Sequence, residues 1–460
     1  MTGDTGRLAR IAAEHGTPVY VYDLAEVRRA HADLRRCLPR ASRLLYSLKA
    51  NPHPHIVREL VRAGADPEVS SSRELDVALS AGAAPRSCLY TGPAKTDAEI
   101  DHALAAGVRR FSVDSPTDLG RLGARARPLG IRAQAILRLN PRRYPGNAGL
   151  AMGGTHSPFG ADVAWVRAEP ERFRADGVDL VGYHVYIGTN STEETQLAGW
   201  FELGLDAVGE AHRALGGDVR LIDLGGGFGS PFARNGSRPE LTGLASLLDG
   251  LVSDRLAAGG LGDPVVAFES GRYLVGTAGS LVVGVQDVKS SHGTRYVVAD
   301  GGINVLGGMQ GLRRVPPLMA EALSPDPGPG PVAAPGDTAV LAGPLCTPLD
   351  VLNPRAAPAH VGPGDLLVVP NVGAYGLTAS LLGFLSREAP VEVAVDGDRV
   401  VSALRLSLGY TEAVPRSARR PPADPPAVAV PDPAPPARPG SPLLPALSAA
   451  RKEPSHGPDQ

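Results

Sequence analysis

Two hydrophobic periods take turns along this chain. Short apolar runs lie near 43–48, 67–71, 87–91, 109–113, 132–139, 179–187, 219–224 and 264–269. Each has the length of a buried strand. Between them, apolar residues recur every three or four positions, which predicts amphipathic helices over 54–63, 73–81, 97–106, 116–126, 192–215 and 240–257. A short helix is predicted over 7–15, a strand over 18–22 and a further helix over 24–38. Strands alternating with helices make parallel βα units. Eight such units predict an α/β fold, a (β/α)8 barrel of the TIM type, with an open doubly wound sheet as the competing arrangement.

Past residue 272 the texture changes. Segments 273–288, 294–299, 338–342, 365–370, 391–396 and 399–407 are β-rich and separated by Gly/Pro turns. They predict a second, mostly β domain, interrupted by a Pro/Gly/Ala loop over 325–336. From 415 onward prolines, alanines and charges dominate, a composition that cannot build a core. The expected organisation is a barrel over 25–272, a β domain made of 1–24 and 273–414, and a disordered tail over 415–460.

Composition narrows the function classes. At 460 residues the chain is too long for one ordinary domain. Its net charge of −2 gives no general attraction to nucleic acid or membrane. No apolar run reaches the length of a membrane span, and the first ten residues lack the apolar core of a secretory signal. Cys37, Cys88 and Cys346 are far apart, which fits a reducing cytoplasm better than a disulfide framework. The expectation is a cytoplasmic protein with no nucleic-acid or membrane partner.

The basic residues carry the first chemical clue. Of 46, only Lys49, Lys95, Lys289 and Lys452 are lysines. Lys49 ends the apolar run 44–48. A lysine in a partly apolar site can lose its proton and form a Schiff base, which arginine cannot. A surface lysine at a strand end is the plain alternative. In such barrels the active site lies at the C-terminal strand ends. Those ends read Lys49-Ala50-Asn51, then Glu68 to Glu74, Arg138-Leu139-Asn140, His184 to Asn190, Asp223 to Gly229, and Glu269 to Tyr273. Gly225-Gly226-Gly227 is a candidate phosphate cradle, because glycines let backbone N–H groups approach an anion. Arg272 is placed to add charge to the same phosphate. Glu269 ends an apolar strand as a candidate carboxylate for a heteroaromatic nitrogen, or as an ordinary strand-end salt bridge. A Schiff-base lysine, a phosphate cradle and that carboxylate together describe a pyridoxal phosphate site.

At these residues the chain resembles the fold-type III pyridoxal-phosphate decarboxylases, the group of diaminopimelate, ornithine and arginine decarboxylases. The motifs are YSLKAN at 46–51, SSSREL at 70–75, GYHVYIGTN at 182–190, DLGGGFG at 223–229, ESGRYL at 269–274, GPLCTPLD at 343–350 and GAYG at 373–376. They span most of 7–410. The resemblance implies that pyridoxal 5′-phosphate is the cofactor and that Lys49 carries it. It implies that Gly225, Gly226, Gly227, Arg272, Tyr375 and Thr189 hold the phosphate, and that Arg138 and Tyr186 line the cofactor. Glu269 would pair with the ring nitrogen and take part in catalysis. Cys346, as proton donor, and Asp350 would reach the site from the second subunit of a head-to-tail homodimer. No metal is implied.

Three departures bear on the substrate. Many members stack a second histidine on the cofactor where this chain has Tyr186, which can still stack. His184 remains and is read as a residue behind the site. Members acting on diamino acids carry an acid directly after the cysteine, and here that position is Thr347. An Arg-Pro-Ala-Leu-Tyr segment expected soon after 300–304 is missing. A buried distal ammonium would therefore lack its partner. GPLCTPLD, HVYIGTN and the Gly153-Gly154 to Phe159-Gly160 stretch resemble a narrower branch acting on aminoacyl groups tethered to a carrier protein in antibiotic pathways. That branch implies an acyl carrier protein as partner and Thr347 and Asp350 as substrate-binding residues. A decarboxylase of a free amino acid such as diaminopimelate is the alternative. A homologue that only binds partner proteins is the alternative of another class, and the retention of Lys49, Glu269, Arg272, Cys346 and Asp350 speaks against it.

Overall fold

The computed structural model describes residues 5–141, 157–307, 319–324, 338–356 and 361–412. The predicted loop over 325–336, the tail over 415–460 and Gly153-Gly154 lie outside the described residues. After α1 (Thr5–His15), β1 (Val19–Asp23) and α2 (Leu24–Arg36), strands and helices alternate. The series runs β2 (Arg43–Ser47), α3 (Pro54–Arg62), β3 (Asp66–Val69), α4 (Ser72–Ser80), β4 (Leu89–Tyr90), α5 (Asp97–Ala105), β5 (Arg110–Val113) and α6 (Pro116–Ala126). It continues through β6 (Ala133–Asn140), β7 (Ala161–Asp162), α7 (Val163–Ala168), β8 (Val178–Val185), α8 (Glu194–Leu215), β9 (Leu221–Asp223), α9 (Leu244–Gly259) and β10 (Val265–Ser270).

Eight of these strands form a closed parallel barrel in the order β2-β3-β4-β5-β6-β8-β9-β10, sealed by β10 pairing with β2. The open-sheet competitor is thereby excluded. The two-residue β7 is an addition that the sequence pattern did not anticipate; it pairs only with the end of β6. Several helices start where the sequence supplies a cap. Ser71, Thr96 and Ser115 accept the backbone N–H groups of Glu74, Glu99 and Asp118 at 3.2, 3.3 and 3.2 Å. Thr96 and Glu99 complete a reciprocal capping box.

Inside the barrel, Leu45, Leu89, Ile136, Val181, Leu221 and Ala267 form one apolar layer. Residues i and i+2 of a strand share a face. Two positions beyond Leu45, Ile136, Leu221 and Ala267 come Ser47, Arg138, Asp223 and Glu269, all buried. One pleat period therefore carries each strand from a dry plug to a polar floor.

Beyond β10 the short helix α10 (Arg272–Val275) leads into β11 (Gly279–Ser291), β12 (Thr294–Ala299), β13 (Ala339–Ala342), β14 (Val351–Ala356), β15 (Leu366–Val369), β16 (Val391–Asp396) and β17 (Arg399–Arg405). These make a sheet in the order β14-β13-β12-β11-β1-β16-β17, with β15 also pairing β11. The N-terminal strand β1 lies between β11 and β16, antiparallel to the first and parallel to the second. Residues 273–278 are helical rather than strand as expected, because an unbroken apolar run such as Tyr273-Leu274-Val275 has no period that distinguishes the two. The strand β14 escaped the reading because Pro354 interrupts it. A loop of this domain is fastened to the segment after β2. The Tyr375 N–H donates to Ala50 O, and Asn51 Nδ2 donates to Gly373 O, both at 2.8 Å. Among the described residues no helix is long and apolar enough to cross a membrane.

Candidate active site

A cavity of about 650 Å³ opens over the polar floor, between the C-terminal strand ends and the 373–379 loop. Lys49, Glu68, Arg138, His184, Tyr186, Thr189, Glu269, Arg272 and Tyr375 all line it. A narrow adjoining pocket adds Gly226, Gly227 and Gly271. A larger groove of about 1070 Å³ runs along α2 and residues 236–242, but it contains none of the predicted site residues. Its central Arg238 is already paired with Glu26 and Asp33.

Lys49 follows β2 on a single helical turn. Its Nζ donates to both oxygens of Glu68, at 2.9 and 3.1 Å. Glu68 is buried on β3 and also accepts from Thr91 Oγ1 at 2.7 Å. Burial works against the Lys49 ammonium, but the charges of Glu68 and Glu269 outweigh it and hold Lys49 above the ordinary lysine range. Burial likewise works against the Glu68 carboxylate, and Lys49 together with hydrogen bonds from Ser47 and Thr91 keeps it below its ordinary value. Lys95 lines the same cavity and is a useful contrast. Its side chain is 1% exposed, against 44% for Lys49. Its ammonium contacts Gly92 O and Ser112 O at 2.7 Å and Asp118 Oδ2 at 2.8 Å, so all three donors are used.

Glu269, Asp223 and His184 meet on the floor. Burial drives the Glu269 carboxyl well above the ordinary range, and the negative charges of Glu68 and Asp223 push it further. Burial pushes Asp223 up to about 7. Burial holds His184 well below its usual value, so the ring is neutral. His184 Nε2 is 3.4 Å from Glu269 Oε1. Among the described residues neither atom has a hydrogen-bond partner, nor has Asp223 Oδ2.

The glycine run is required by space as well as by backbone angle. Gly225 and Gly227 have φ of 66° and 108°. A Cβ on Gly226 would lie 2.2 Å from Glu269 O. Arg272 begins α10 with its guanidinium 4.7 Å from the centre of the Tyr375 ring, and its buried Nε has no partner. Tyr375 holds a left-handed φ of 53°, a strained conformation for a tyrosine, and the bond to Ala50 O keeps it there. Arg138 lies over the Phe159 ring at 4.8 Å.

The orphaned atoms define what this site fits. Together they offer a buried carboxyl, a glycine cradle with an arginine, and an amine. A ring nitrogen, a phosphate and an aldehyde answer these three, and pyridoxal 5′-phosphate carries all of them.

The 343–350 loop stands apart. Cys346 is exposed, Thr347 is half-buried, and neither lines the Lys49 cavity of its own chain. Asp350 is 3% exposed, and its two oxygens accept Ile303 N and Leu345 N, both at 2.7 Å. Within its own chain this carboxylate ties the 343–350 loop to the segment at Ile303. Sequence reading passed over Glu68 and Asp223 as plain strand-end acids. For Asp223 the signal was available, since it lies two residues beyond Leu221 as Glu269 lies beyond Ala267; Glu68 carries no such mark, since Asp66 stands two residues before it. Lys95 and Asp118 left no such signal, because their pairing joins the loop after β4 to the first turn of α6.

Residues 24–276 match the family model described as pyridoxal-dependent decarboxylase, pyridoxal binding domain. The chain is 32% identical over 399 residues to the diaminopimelate decarboxylase of Methanothermobacter thermautotrophicus, covering 85% of this chain and 89% of that protein. It is 28% identical over 400 residues to the L-glutamyl-(BtrI acyl-carrier protein) decarboxylase of Niallia circulans, covering 85% and 92%. Among solved structures, diaminopimelate decarboxylase from M. jannaschii in complex with L-lysine superposes with a TM-score of 0.74 at 25% identity, covering 86% and 91%.

Proposed function

The chain belongs to the pyridoxal-dependent decarboxylase family, and from that premise we propose how its residues divide the work and which substrate they take. The protein is a pyridoxal 5′-phosphate-dependent amino-acid decarboxylase, a lyase. The cofactor supplies the electron sink that lets the Cα–carboxylate bond of an amino acid break.

The convergence of Lys49, Glu269, the glycine cradle and Arg272 on one cavity carries the assignment of roles. Backbone N–H groups of Gly226 and Gly227 would hold the phosphate, with Gly225, its own N–H given to Asp223, making the turn that presents them, and Arg272 would add charge-assisted bonds. The Tyr375 ring keeps the Arg272 guanidinium in place, and the Thr189 hydroxyl assists. Glu269 would hold the ring nitrogen protonated, Tyr186 would cover the ring, and Arg138 would supply positive charge to the floor. Lys49 Nζ is the amine for the aldehyde. Its proton must leave first, and Glu68 is the acceptor already in contact. Thr91 keeps Glu68 turned toward that amine.

Cys346 acts from a second copy of the chain and returns a proton to Cα. Its exposure and its separation from the cavity of its own chain support a homodimer with shared sites. Asp350 shapes the loop that presents it. Three unpaired cysteines support a reducing cytoplasm as the compartment.

For the substrate, Thr347 carries the reading. A free distal ammonium would have no acid beside Cys346, whereas a carrier-bound thioester is neutral at that end. The substrate is an aminoacyl group tethered to an acyl carrier protein, and the 28% identity to the Niallia circulans enzyme supports this. The second reading is free diaminopimelate, favoured by the 32% identity to the Methanothermobacter enzyme. Carbon dioxide release should be measured over free amino acids and carrier-tethered aminoacyl thioesters. Rapid turnover of free diaminopimelate, with none of the thioesters, would exclude the carrier reading.

A further inference from the structure

Asp223 ends β9 fully buried, and none of the roles above uses it. Its Oδ1 accepts the Gly225 N–H at 2.9 Å, so the carboxyl is fixed to the first residue of the cradle. Among the described residues its Oδ2, Glu269 Oε1 and His184 Nε2 are buried without a hydrogen-bond partner. One ligand atom from each of the three residues lies within 4.8 Å of the others. His184 cannot settle the pair by becoming a cation, because burial and the charges of Arg138, Lys49 and Lys95 keep it neutral. Its Nδ1 is engaged with Ser112 Oγ at 2.8 Å.

Two buried carboxyls this close do not both ionise readily; one proton remains between them. The charges around the pair do not remove that constraint. Glu68 acts on both acids with negative charge, and Lys49 acts on both with positive charge. Arg138 acts on Glu269 from β6, and Arg110 on Asp223 from β5. Tyr186 beside Glu269 is held neutral by burial. Asp223 therefore titrates near neutrality while locked to the cradle.

We infer that Asp223 is a positioning residue: it shares one proton with Glu269 and so sets whether Glu269 faces the cofactor's ring nitrogen as a carboxylate or as an acid. This rests on the reading that Glu269 faces that nitrogen. With the proton on Asp223, Glu269 is the anion that pairs with a protonated ring nitrogen. When the pair loses its proton at higher pH, a second negative charge arises within the same cluster and the field on the ring changes. With two protons on the pair at low pH, the ring nitrogen has no anionic partner.

The test uses the holoenzyme and reads the absorbance of bound cofactor against pH, together with the rate of cofactor loss on dilution. Asp223→Asn keeps an oxygen for Gly225 N–H and removes the titrating group. It should eliminate one step of the spectral titration or move it by about one pH unit or more, while a step belonging to Lys49 persists. Asp223→Ala also abandons the Gly225 amide and should release cofactor about tenfold faster than Asp223→Asn. Wild-type and Asp223→Asn curves that superimpose would reduce Asp223 to a bracket for Gly225 and overturn the proposal. Glu269→Gln separates the two readings. A shifted spectrum and faster release support Glu269 as the ring partner; an unchanged variant removes that premise and the proposal with it. Should Asp223→Asn not fold, infrared difference spectra of the wild-type holoenzyme still decide. A buried protonated-carboxyl band that disappears as pH rises through neutrality supports the pair, and its absence at all pH values overturns it.

Discussion

Two adjacent layers of the barrel are drawn from the same strands and have opposite thermodynamic roles. The lower layer of Leu45, Leu89, Ile136, Val181, Leu221 and Ala267 is dry and apolar. The upper layer, two residues further along four of those strands, contains Ser47, Arg138, Asp223 and Glu269. Burial of the lower layer stabilises the fold. Burial of the upper layer places carboxyls where they resist ionisation and leaves polar atoms without partners. The fold can hold such a costly layer because the plug beneath it is rigid, and because the cofactor meets the orphaned groups when it binds.

The strongest way to break this contrast is at the rim. Lys49→Ala should abolish borohydride trapping of the cofactor and lower decarboxylation on the order of 10³-fold or more. Thermal stability of the cofactor-free protein should also fall, because the buried Glu68 carboxylate loses the ammonium that holds it ionised. Covalent trapping that survives in the variant would remove Lys49 from its role. Next in size is the plug. Leu45→Ala should cost about 2–5 kcal/mol of stability, read from denaturant unfolding, because a fully packed site relaxes only partly around the void. Cofactor affinity of the folded fraction should stay the same.

Glu269→Gln sharpens the comparison from the other side. In the cofactor-free protein Glu269 holds its proton well above the ordinary carboxylate range. The unfolded chain releases that proton near pH 4, so above this pH the folded state binds more protons than the unfolded one. Wild-type stability from this group is therefore fully present below about pH 4 and is lost as pH rises toward the folded value. Glutamine does not titrate. The melting temperature of Glu269→Gln should gain on wild type as pH climbs above about 4, while activity falls. A constant gap across that range would count against a buried, protonated Glu269. The smallest effect lies outside both layers. Thr347→Glu should leave cofactor retention untouched and shift preference several-fold toward substrates with a distal ammonium. An unaltered substrate profile would take Thr347 out of the specificity argument.

Much of this was readable in the chain. All eight barrel strands were placed because short apolar runs alternate with helical periods, and the caps at Ser71, Thr96 and Ser115 start helices where expected. Lys49, Glu269, Gly225 to Gly227 and Arg272 were legible as strand-end residues and Tyr375 through the family resemblance, and all but Gly225 line one cavity region. The hidden part consists of contacts between elements. Glu68 as the partner of Lys49 depends on β2 lying beside β3 in a register that pairs Ser47 with Glu68. Lys95 spent on Asp118, and Asp350 spent on two backbone amides, look in the sequence like any other charged residues.

The order of apolar and polar residues by itself determined alternating parallel βα units, a following β sheet and a polar rim at the strand ends, because side-chain period and strand direction are local properties. Closure of the barrel decided the rest. It brought Asp223, Glu269 and His184 within 4.8 Å, gave Lys49 its carboxylate, and left Cys346 outside the cavity of its own chain. Those outcomes depend on register summed around the ring and on burial, and ionisable groups respond to burial and to neighbouring charge whatever their distance along the chain.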